Sequence, residues 1–300
     1  MTRERRLQWA LLLNLAIVVL QAVFGVVAHS LGLLADAGHN LADVAAVALS
    51  LYAVRLTRRP PDDRRSFGYH RSTILAAQAN AAAILVVTAL LTYEGIRRLL
   101  HPSAVDAGIV IVVAAAGAVI NLVAAAALHG HTHDLNMRSA MLHLLGDAAT
   151  SVGVVIAGVV IAVTGGWERL DPAVSIAIGL VIGWRAVLLL RATTVVLLEA
   201  TPAGIEPRDV SHAIASVPGV ESVHDLHTWS LNSELQALSA HLVLRGSPSL
   251  DRAQAICGEV RETLSRQFGV QHATLQAEVI HCRPDGHGAC VLAPVVTDAG

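Results

Sequence analysis

The sequence lacks lysine altogether and contains few charged residues of any kind. Its 300 residues include 21 basic side chains, all of them arginine, and 23 acidic ones, so that charged residues make up only 15% of the chain while apolar residues make up 54%. This composition is too apolar for a soluble enzyme and is typical of a protein that crosses a membrane several times and carries some soluble mass. The formal net charge of −2 argues against a role in nucleic-acid binding. A basic complement made only of arginine is typical of a GC-rich bacterial genome.

Long apolar stretches occupy the first two thirds of the chain. Each of the six is close to the roughly 20 residues that a helix needs to cross about 30 Å of hydrocarbon. The first is longer than a signal-peptide core of about 7–15 residues and lacks a clear cleavage site, so we interpret it as a retained span. The stretches are residues 9–28, 31–54, 72–96, 107–128, 139–164 and 171–190.

The arginines of the short loops indicate the orientation of these spans. Arg3, Arg5 and Arg6 precede the first span, and residues 55–71, between spans two and three, contain six more arginines. The loops on the opposite side contain few. By the positive-inside rule, both termini are expected in the cytoplasm, and a bacterial protein of this kind is expected in the cytoplasmic (inner) membrane.

The chain changes character after the sixth span. From about residue 203 the pattern predicts a short helix, two alternating strands joined at residues 232–233, an amphipathic helix from Ser249 to Gly269, and a third strand. About ninety residues in the order αββαβ can form a small two-layer α+β domain. We therefore predict a membrane domain over residues 1–202, a cytoplasmic domain over residues 203–292 and a flexible tail over residues 293–300.

The second span carries ionisable side chains, which an apolar helix usually avoids. His39 and Asp43 are four residues apart and therefore share one face of the helix. The fifth span repeats this spacing with His143 and Asp147, and no other span contains such a pair. Ionisable groups at the bilayer centre cost at least about 2.5–3.5 kcal/mol each, and they usually mark ion pathways or proton relays.

Two such pairs that face each other would supply two imidazoles and two carboxylates, a donor set that tetrahedral Zn²⁺ accepts. Four carboxylates would instead favour harder ions such as Mn²⁺. A single pair is also explained by a local contact along one helix, but two copies in two spans favour a shared metal site. Asp36, three residues before His39, has three open interpretations: support for the ligands, a proton acceptor, or a position near the outer surface.

The same ligands suggest a driving force for ion movement. Imidazole binds metal only in its neutral form, and its ordinary pKa of about 6.5 is close to cytoplasmic pH. Metal loading therefore displaces protons, and protonation from the other side expels the metal. This is the minimum chemistry of a metal–proton exchanger.

The whole chain resembles the cation diffusion facilitator family, in particular its zinc-transporting bacterial branch. The resemblance is carried by "LLADAGHNLAD" in span two, "FGYHR" and "LAAQAN" at span three, "HLLGDAATS" in span five, "LLEATP" after span six, and "HDLHTWSL" and "ALSAHL" beyond it. It implies a homodimer with six spans per subunit, a metallochaperone-like (ferredoxin-like) cytoplasmic domain, and metal export in exchange for protons. It also implies that His39, Asp43, His143 and Asp147 form the transport site. Some relatives place Asp where His39 stands, so the residue here favours zinc, with cadmium and cobalt as secondary cargo.

The spacing of the first two strands predicts that two histidines face each other. If residues 232–233 form a two-residue turn, His224 lies directly opposite His241. Opposed side chains have Cβ atoms about 4.5–5.5 Å apart, which suits two ligands of one metal. Alternation along the strand places His227 on the other face of the sheet.

The resemblance implies a cytoplasmic zinc site at the two opposed histidines. Relatives place a further His or Asp on the third strand, where Glu278 is the expected replacement, and a His where this chain has Gln254. A solvent-facing pair of histidines without metal is the alternative. His70 matches part of an interfacial metal site found in some relatives, but Asp62 and Asp63 upstream do not have a spacing that defines it.

The remaining cysteines and histidines allow two interpretations each. Cys282 and Cys290 flank His287 in a spacing that suits a thiolate metal site, and the same segment is also explained as a flexible terminus. A disulfide is not expected in the cytosol. The loop at residues 129–134 is either a weak metal-gathering arm or simply polar, and Cys257 is expected to pack inside its helix.

These features together predict a proton-coupled antiporter that exports Zn²⁺ from the cytoplasm, and not an enzyme. Its expected partners are divalent metal ions, protons, the lipid bilayer and a second copy of the chain, with no nucleic acid. An intramembrane zinc protease would need an open coordination position and a motif such as His-Glu-x-x-His, which is absent. The alternative is a membrane-anchored zinc sensor that transports nothing, although a sensor could place its ligands in water at far lower cost.

Overall fold

The computed structural model describes residues 3–128 and 135–279. The chain divides into two units, one formed by residues 1–52 and 76–191 and the other by residues 53–75 and 192–300. In the described residues the first unit is helical, and the second contains a three-stranded sheet with two helices. The predicted class, a membrane helix bundle followed by a small α+β domain, is confirmed.

In residues 3–128 and 135–197, six long helices follow one another in the order that the apolar stretches predict. Five of them, α2 to α6, are long and apolar enough to cross a membrane, while the apolar part of α1 that the structure describes is the shorter segment Leu15–Val27. Most of the helices extend a few residues beyond the predicted spans, because polar residues at the ends continue the helix. Their bounds are α1 (Arg3–Val27), α2 (Leu31–Thr57), α3 (Ser72–Leu100), α4 (Ala107–Leu128), α5 (Leu135–Thr164) and α6 (Leu170–Leu197).

A carboxylate from α6 holds the beginning of α2. Asp171 is almost fully buried and accepts hydrogen bonds from the hydroxyl of Ser30 and from the backbone N–H groups of Leu31 (2.6 Å) and Gly32 (3.2 Å). The first N–H groups of a helix have no partner within the helix, and a carboxylate there also compensates the positive end of the helix dipole. This contact determines where α2, the helix with the first His-Asp pair, begins relative to α6.

Small residues let α4 and α5 approach each other closely. A Cβ atom at Gly158 of α5 would lie 2.9 Å from Ile111 and 3.2 Å from Val110 of α4. Val110 and Val154 belong to one buried cluster that spans this contact. Because helices in membranes associate mainly through close packing of small residues, this contact positions α5, which carries the second His-Asp pair.

The second unit has the predicted order of helices and strands. Helix α7 (Pro207–Ala215) is followed by β1 (Val220–Ser230), β2 (Gln236–Leu244), α8 (Leu250–Phe268) and β3 (His272–Glu278). In the sheet, β2 lies in the centre, antiparallel to β1 and parallel to β3. Helix α8 begins and ends at the residues that the sequence predicts: the side chain of Ser249 accepts a hydrogen bond from the backbone N–H of Arg252, and Gly269 has the left-handed conformation (φ 67°). Apolar residues of both helices and of the sheet form one core.

The prediction of a two-residue turn between β1 and β2 is wrong. The last pair before the turn is Ser230 with Gln236, and the backbone N–H of Leu231 donates to the carbonyl of Leu235 at 2.9 Å. The side chain of Asn232 causes the longer turn, because its oxygen accepts hydrogen bonds from the backbone N–H groups of both Glu234 and Leu235 (2.9 and 2.7 Å).

A β-bulge in β1 restores the predicted register. The pairing shifts by one residue between His227, which pairs with Ser239, and His224, which pairs with His241. Asp225 lies in the bulge with a positive φ of 50°. His224 therefore does lie opposite His241, as predicted. Because Ser239 and His241 are two residues apart on β2, however, His224 and His227 share one face of the sheet. The prediction that His227 lies on the other face is wrong.

Candidate metal centres

The two His-Asp pairs of α2 and α5 meet in one cluster. His39 Nε2 lies 3.2 Å from Asp147 Oδ1, and His143 Nε2 lies 3.3 Å from Asp43 Oδ2. Within each helix the imidazole and the carboxylate are 3.7 Å apart. The structure therefore brings together all four side chains that the sequence predicts for the membrane site.

The contacts between the two helices have a spacing that suits two ligands of one tetrahedral ion. Four ligands that each lie about 2.0–2.1 Å from a tetrahedral Zn²⁺ are separated from one another by about 3.3–3.4 Å. The two contacts between the helices, at 3.2 and 3.3 Å, lie close to that value. The two contacts within the helices are longer, at 3.7 Å, and the one in α2 is made by the other ring nitrogen of His39, Nδ1. One donor atom each of His39, Asp43 and Asp147 lies within 4.8 Å of the others, and His143 must move closer to complete a shell of four ligands.

Burial differs across this cluster. The side chain of Asp147 is 3% exposed and that of His39 is also largely buried, whereas the side chain of His143 is 43% exposed. His39 also borders a cavity of about 230 Å³ that is lined by α2, α3 and α6, with Asn80 of α3 among its few polar residues. This cavity therefore lies beside the cluster while the side chains of α2 and α5 remain in contact.

Asp36 has a buried position and three hydrogen-bond donors. Its carboxylate accepts from the amide of Gln21 (2.6 Å) and from the hydroxyls of Ser151 (2.7 Å) and Thr150 (3.1 Å), and the side chain is not exposed at all. The single hydroxyl hydrogen of Thr150 is shared between Asp36 and the backbone carbonyl of Asp147, whose oxygen is 2.8 Å away. Of the three interpretations, a surface position disagrees with this burial. The contacts favour support for the ligands, since they join α1, α2 and α5 beside the His-Asp cluster.

Gln21 is a residue of this network that sequence reasoning missed. Its amide nitrogen donates to Asp36, and its oxygen accepts from Asn40 at 3.1 Å. A Cβ atom at Gly117 of α4 would lie 2.9 Å from the Gln21 amide nitrogen, so the glycine provides the room that the glutamine occupies. A glutamine within a mostly apolar span was the available signal.

A second cluster lies on the sheet of the other unit. Glu278 on β3 bridges the two opposed histidines: one of its oxygens is 3.0 Å from His224 Nε2 and the other is 2.9 Å from His241 Nδ1. All three side chains are half-buried, with donor atoms that lie within 4.8 Å of one another. The three residues predicted for a cytoplasmic site are therefore neighbours.

Asp225, which sequence reasoning missed, extends this second cluster. One oxygen of its carboxylate lies 2.9 Å from His227 Nε2, and the other lies 3.6 Å from His241 Nε2. The bulge turns Asp225 and His227 toward the cluster, and nothing in the alternating pattern indicated it. The amide of Gln276, on β3, donates to Glu278 at 2.8 Å.

The other predicted ligands are not brought together in this way. Within residues 3–128 and 135–279, His70 belongs to no group of three metal-binding side chains. Asp62 interacts with Arg65 at 3.3 Å instead. Cys282, Cys290 and the histidines of residues 129–134 lie outside the described residues.

Comparison with known proteins gives matches along most of the chain. The family model of the cation efflux transmembrane domain matches residues 7–198, and that of the cation efflux protein cytoplasmic domain matches residues 202–280. The metal cation efflux system protein CzcD of Cupriavidus metallidurans is 36% identical over 280 residues, which cover 93% of this chain and 88% of that protein. The zinc transporter ZitB of Escherichia coli is 36% identical over 287 residues, which cover 94% and 90%.

A cadmium, cobalt and zinc/H⁺–K⁺ antiporter of Bacillus velezensis is 33% identical over 264 residues, which cover 87% of this chain and 84% of that protein. Among solved structures, the metal-bound C-terminal domain of the CzcD transporter from Cupriavidus metallidurans is 31% identical and covers 25% of this chain and 99% of that domain, with a TM-score of 0.23.

Proposed function

The chain belongs to the cation efflux family, also called the cation diffusion facilitators, and to its zinc-transporting members, and on this premise we propose that it is a proton-coupled antiporter that exports Zn²⁺. Metal efflux is common to the relatives, and the several apolar helices place the chain in a membrane as a multi-pass protein. The proposal adds the ion, the exchange for protons, the direction out of a bacterial cytoplasm with both termini inside, and a homodimer as the working unit. Cadmium and cobalt are proposed as secondary cargo.

One observation carries this proposal: two His-Asp pairs from two helices meet at ligand-to-ligand distances. We propose that His39, Asp43, His143 and Asp147 hold the ion during transport. The ligands come from α2 and α5 in equal number, so a relative movement of these helices would open the shell and release the ion. Both imidazoles must be neutral to bind metal, which couples loading to the release of protons.

The test is zinc uptake into proteoliposomes with an acidic interior. The wild type is expected to take up zinc as protons leave, and Asp147→Ala is expected to abolish the flux and weaken zinc binding. Asp209→Ala, in which an exposed carboxylate on α7 is removed, is the matched control and should transport like the wild type. The folding of each variant is checked by its elution as a single species.

The outcomes separate the alternatives. If flux persists in Asp147→Ala, the protein is a transporter but the four-ligand site is wrong. If the folded wild type binds zinc but shows no flux under any pH gradient, the membrane-anchored sensor becomes the better interpretation. If flux occurs without a pH gradient and is insensitive to its direction, the coupling to protons is refuted.

We propose a regulatory role for the second cluster, at His224, His241 and Glu278. A metal can shift a conformational equilibrium only if it binds one arrangement more tightly than the other. Zinc held by β1, β2 and β3 would favour the arrangement of the cytoplasmic domain in which these ligands are close. His241→Ala should therefore change the zinc concentration at which transport reaches half its maximum rate, and an unchanged dependence would contradict the proposal.

A further inference from the structure

The second unit contains a large cavity that includes none of the predicted ligands His224, His241 and Glu278 and borders the second cluster only at His227. It measures about 720 Å³ and lies among the loop between α2 and α3, the segment after α6, and strand β1. Arg64, Arg65 and Arg71 line it, together with Glu199, Thr228 and Trp229. Pockets for small organic ligands are typically about 300–1,000 Å³, so this cavity has room for more than an inorganic ion.

The charge on the lining is positive. Arg71 Nη2 interacts with Glu199 at 2.7 Å and Arg65 Nη1 with Asp62 at 3.3 Å. Arg64 makes no side-chain ion pair with any residue of the described ranges. Because each guanidinium carries five N–H donors and each of the two ion pairs is a single contact, several donors remain for a ligand.

Two buried polar atoms of the lining residues lack a partner. Thr228 is only 7% exposed, and its hydroxyl has no hydrogen-bond partner within residues 3–128 and 135–279. The Nε of Arg71 is likewise buried and without a partner in the same ranges. Buried side-chain polar atoms in native proteins are usually hydrogen-bonded, so an unpaired hydroxyl and an unpaired guanidinium nitrogen at one cavity indicate that a ligand completes it.

We propose that this cavity binds an organic phosphate. Arginine forks match the geometry of phosphate oxygens, and a hydroxyl supplies a further donor to the same group. Phe67 and Trp229 add apolar surface for the organic part of the ligand. A metal ion is disfavoured, since within the described residues this cavity contains no group of three metal-binding side chains. The phosphate could belong to a lipid headgroup or to a soluble phosphate ester, which present the same chemistry to the arginines.

The experiment measures binding to the full chain in neutral phosphatidylcholine nanodiscs, with a chelator present so that zinc plays no part. Two probes are titrated: glycerol 3-phosphate, and dihexanoylphosphatidylglycerol, which carries the phosphate on a lipid. At least one probe is expected to bind saturably, with affinity reduced about tenfold in Arg64→Gln and in Thr228→Val. Thr228→Val retains the shape of the side chain and loses only an unpaired hydroxyl, so it is expected to fold normally. Arg245→Gln, which removes an exposed arginine outside the cavity, should bind like the wild type.

The arms identify the source and can overturn the proposal. Binding of the lipid alone assigns the cavity to a headgroup, and binding of glycerol 3-phosphate with equal affinity assigns it to a soluble ester. The proposal fails if neither probe saturates below about 1 mM or if both variants bind like the wild type. It also fails if Arg64→Gln shifts the protein from dimer to monomer in native mass spectrometry without any phosphate effect, since the cavity would then be a contact between subunits.

Discussion

The buried carboxylate of Asp36 permits a quantitative test of the contacts beside the candidate membrane site. Ser151→Ala removes the hydroxyl that donates to Asp36 at 2.7 Å and leaves the donors Gln21 and Thr150 in place. A hydrogen bond to a charged group contributes about 1.5–3 kcal/mol to the free energy of unfolding, so we expect a loss of this size.

Asp36→Ala removes the acceptor of all three bonds and leaves two donors unpaired in the interior, the amide of Gln21 and the hydroxyl of Ser151, because the hydroxyl of Thr150 keeps the carbonyl of Asp147 as an acceptor. An unsatisfied buried donor costs about 1–3 kcal/mol, while the removal of a buried carboxylate also relieves its own desolvation. We therefore expect a loss of about 3 kcal/mol rather than the full sum. In the double variant the serine has no acceptor left to lose, so the coupling free energy between Asp36 and Ser151 should be about 1.5–3 kcal/mol.

The assay is reversible unfolding of the wild type, both single variants and the double variant in mixed detergent micelles. Ser175→Ala provides a matched control because Ser175 is equally buried but its hydroxyl has no hydrogen-bond partner in the described part of the chain. This control is expected to be neutral or slightly stabilising. A coupling below about 0.5 kcal/mol would refute the reasoning, as would a Ser175→Ala variant that loses as much stability as Ser151→Ala.

Three further outcomes are expected. Gly158→Ala should lower the free energy of unfolding by about 1–3 kcal/mol, because its Cβ would lie 2.9 Å from Ile111. Gly153→Ala on the same helix is the control: its Cβ would meet no atom within 4 Å, so the change should be neutral or stabilising. Thermal melts in which Gly153→Ala is the less stable variant would contradict the contact between α4 and α5. Glu278→Gln should weaken zinc binding to the second cluster by at least roughly 10–100-fold, the effect of losing a residue that only supports a ligand. Glu234→Gln, in the exposed turn, should leave the affinity unchanged. Equal zinc affinities of Glu278→Gln and the wild type in calorimetry would show that Glu278 is not a ligand. Burial raises the pKa of the Cys257 thiol and so slows its alkylation. After iodoacetamide treatment at about pH 8, peptide mapping should find Cys257 unmodified in the folded chain and modified after unfolding. Full alkylation of the native protein would show that helix α8 is not packed against the sheet.

Those features of this protein that depend on neighbours along the chain could be predicted from its sequence. The helices follow from apolar stretches of the right length, and the limits of α8 follow from Ser249 and Gly269, whose effects act within one turn. The placement of His39 and Asp43 on one face follows in the same way, since a four-residue spacing fixes the relative direction of two side chains on any α-helix. The order αββαβ was predicted because periodicity changes where helix becomes strand.

Only the tertiary structure decided which of these faces meet and what lies between them. The donors to Asp36 come from positions 15, 114 and 115 residues away, so no local pattern could reveal that its carboxylate joins three helices. The register of β1 and β2 was predicted correctly for His224 and His241 only because the longer turn and the bulge shift the pairing in opposite directions. One extra residue in a strand reverses the face of every side chain beyond it. The bulge at Asp225 therefore brings His227 and Asp225 to the second cluster, although alternation along the sequence predicts His227 on the opposite face.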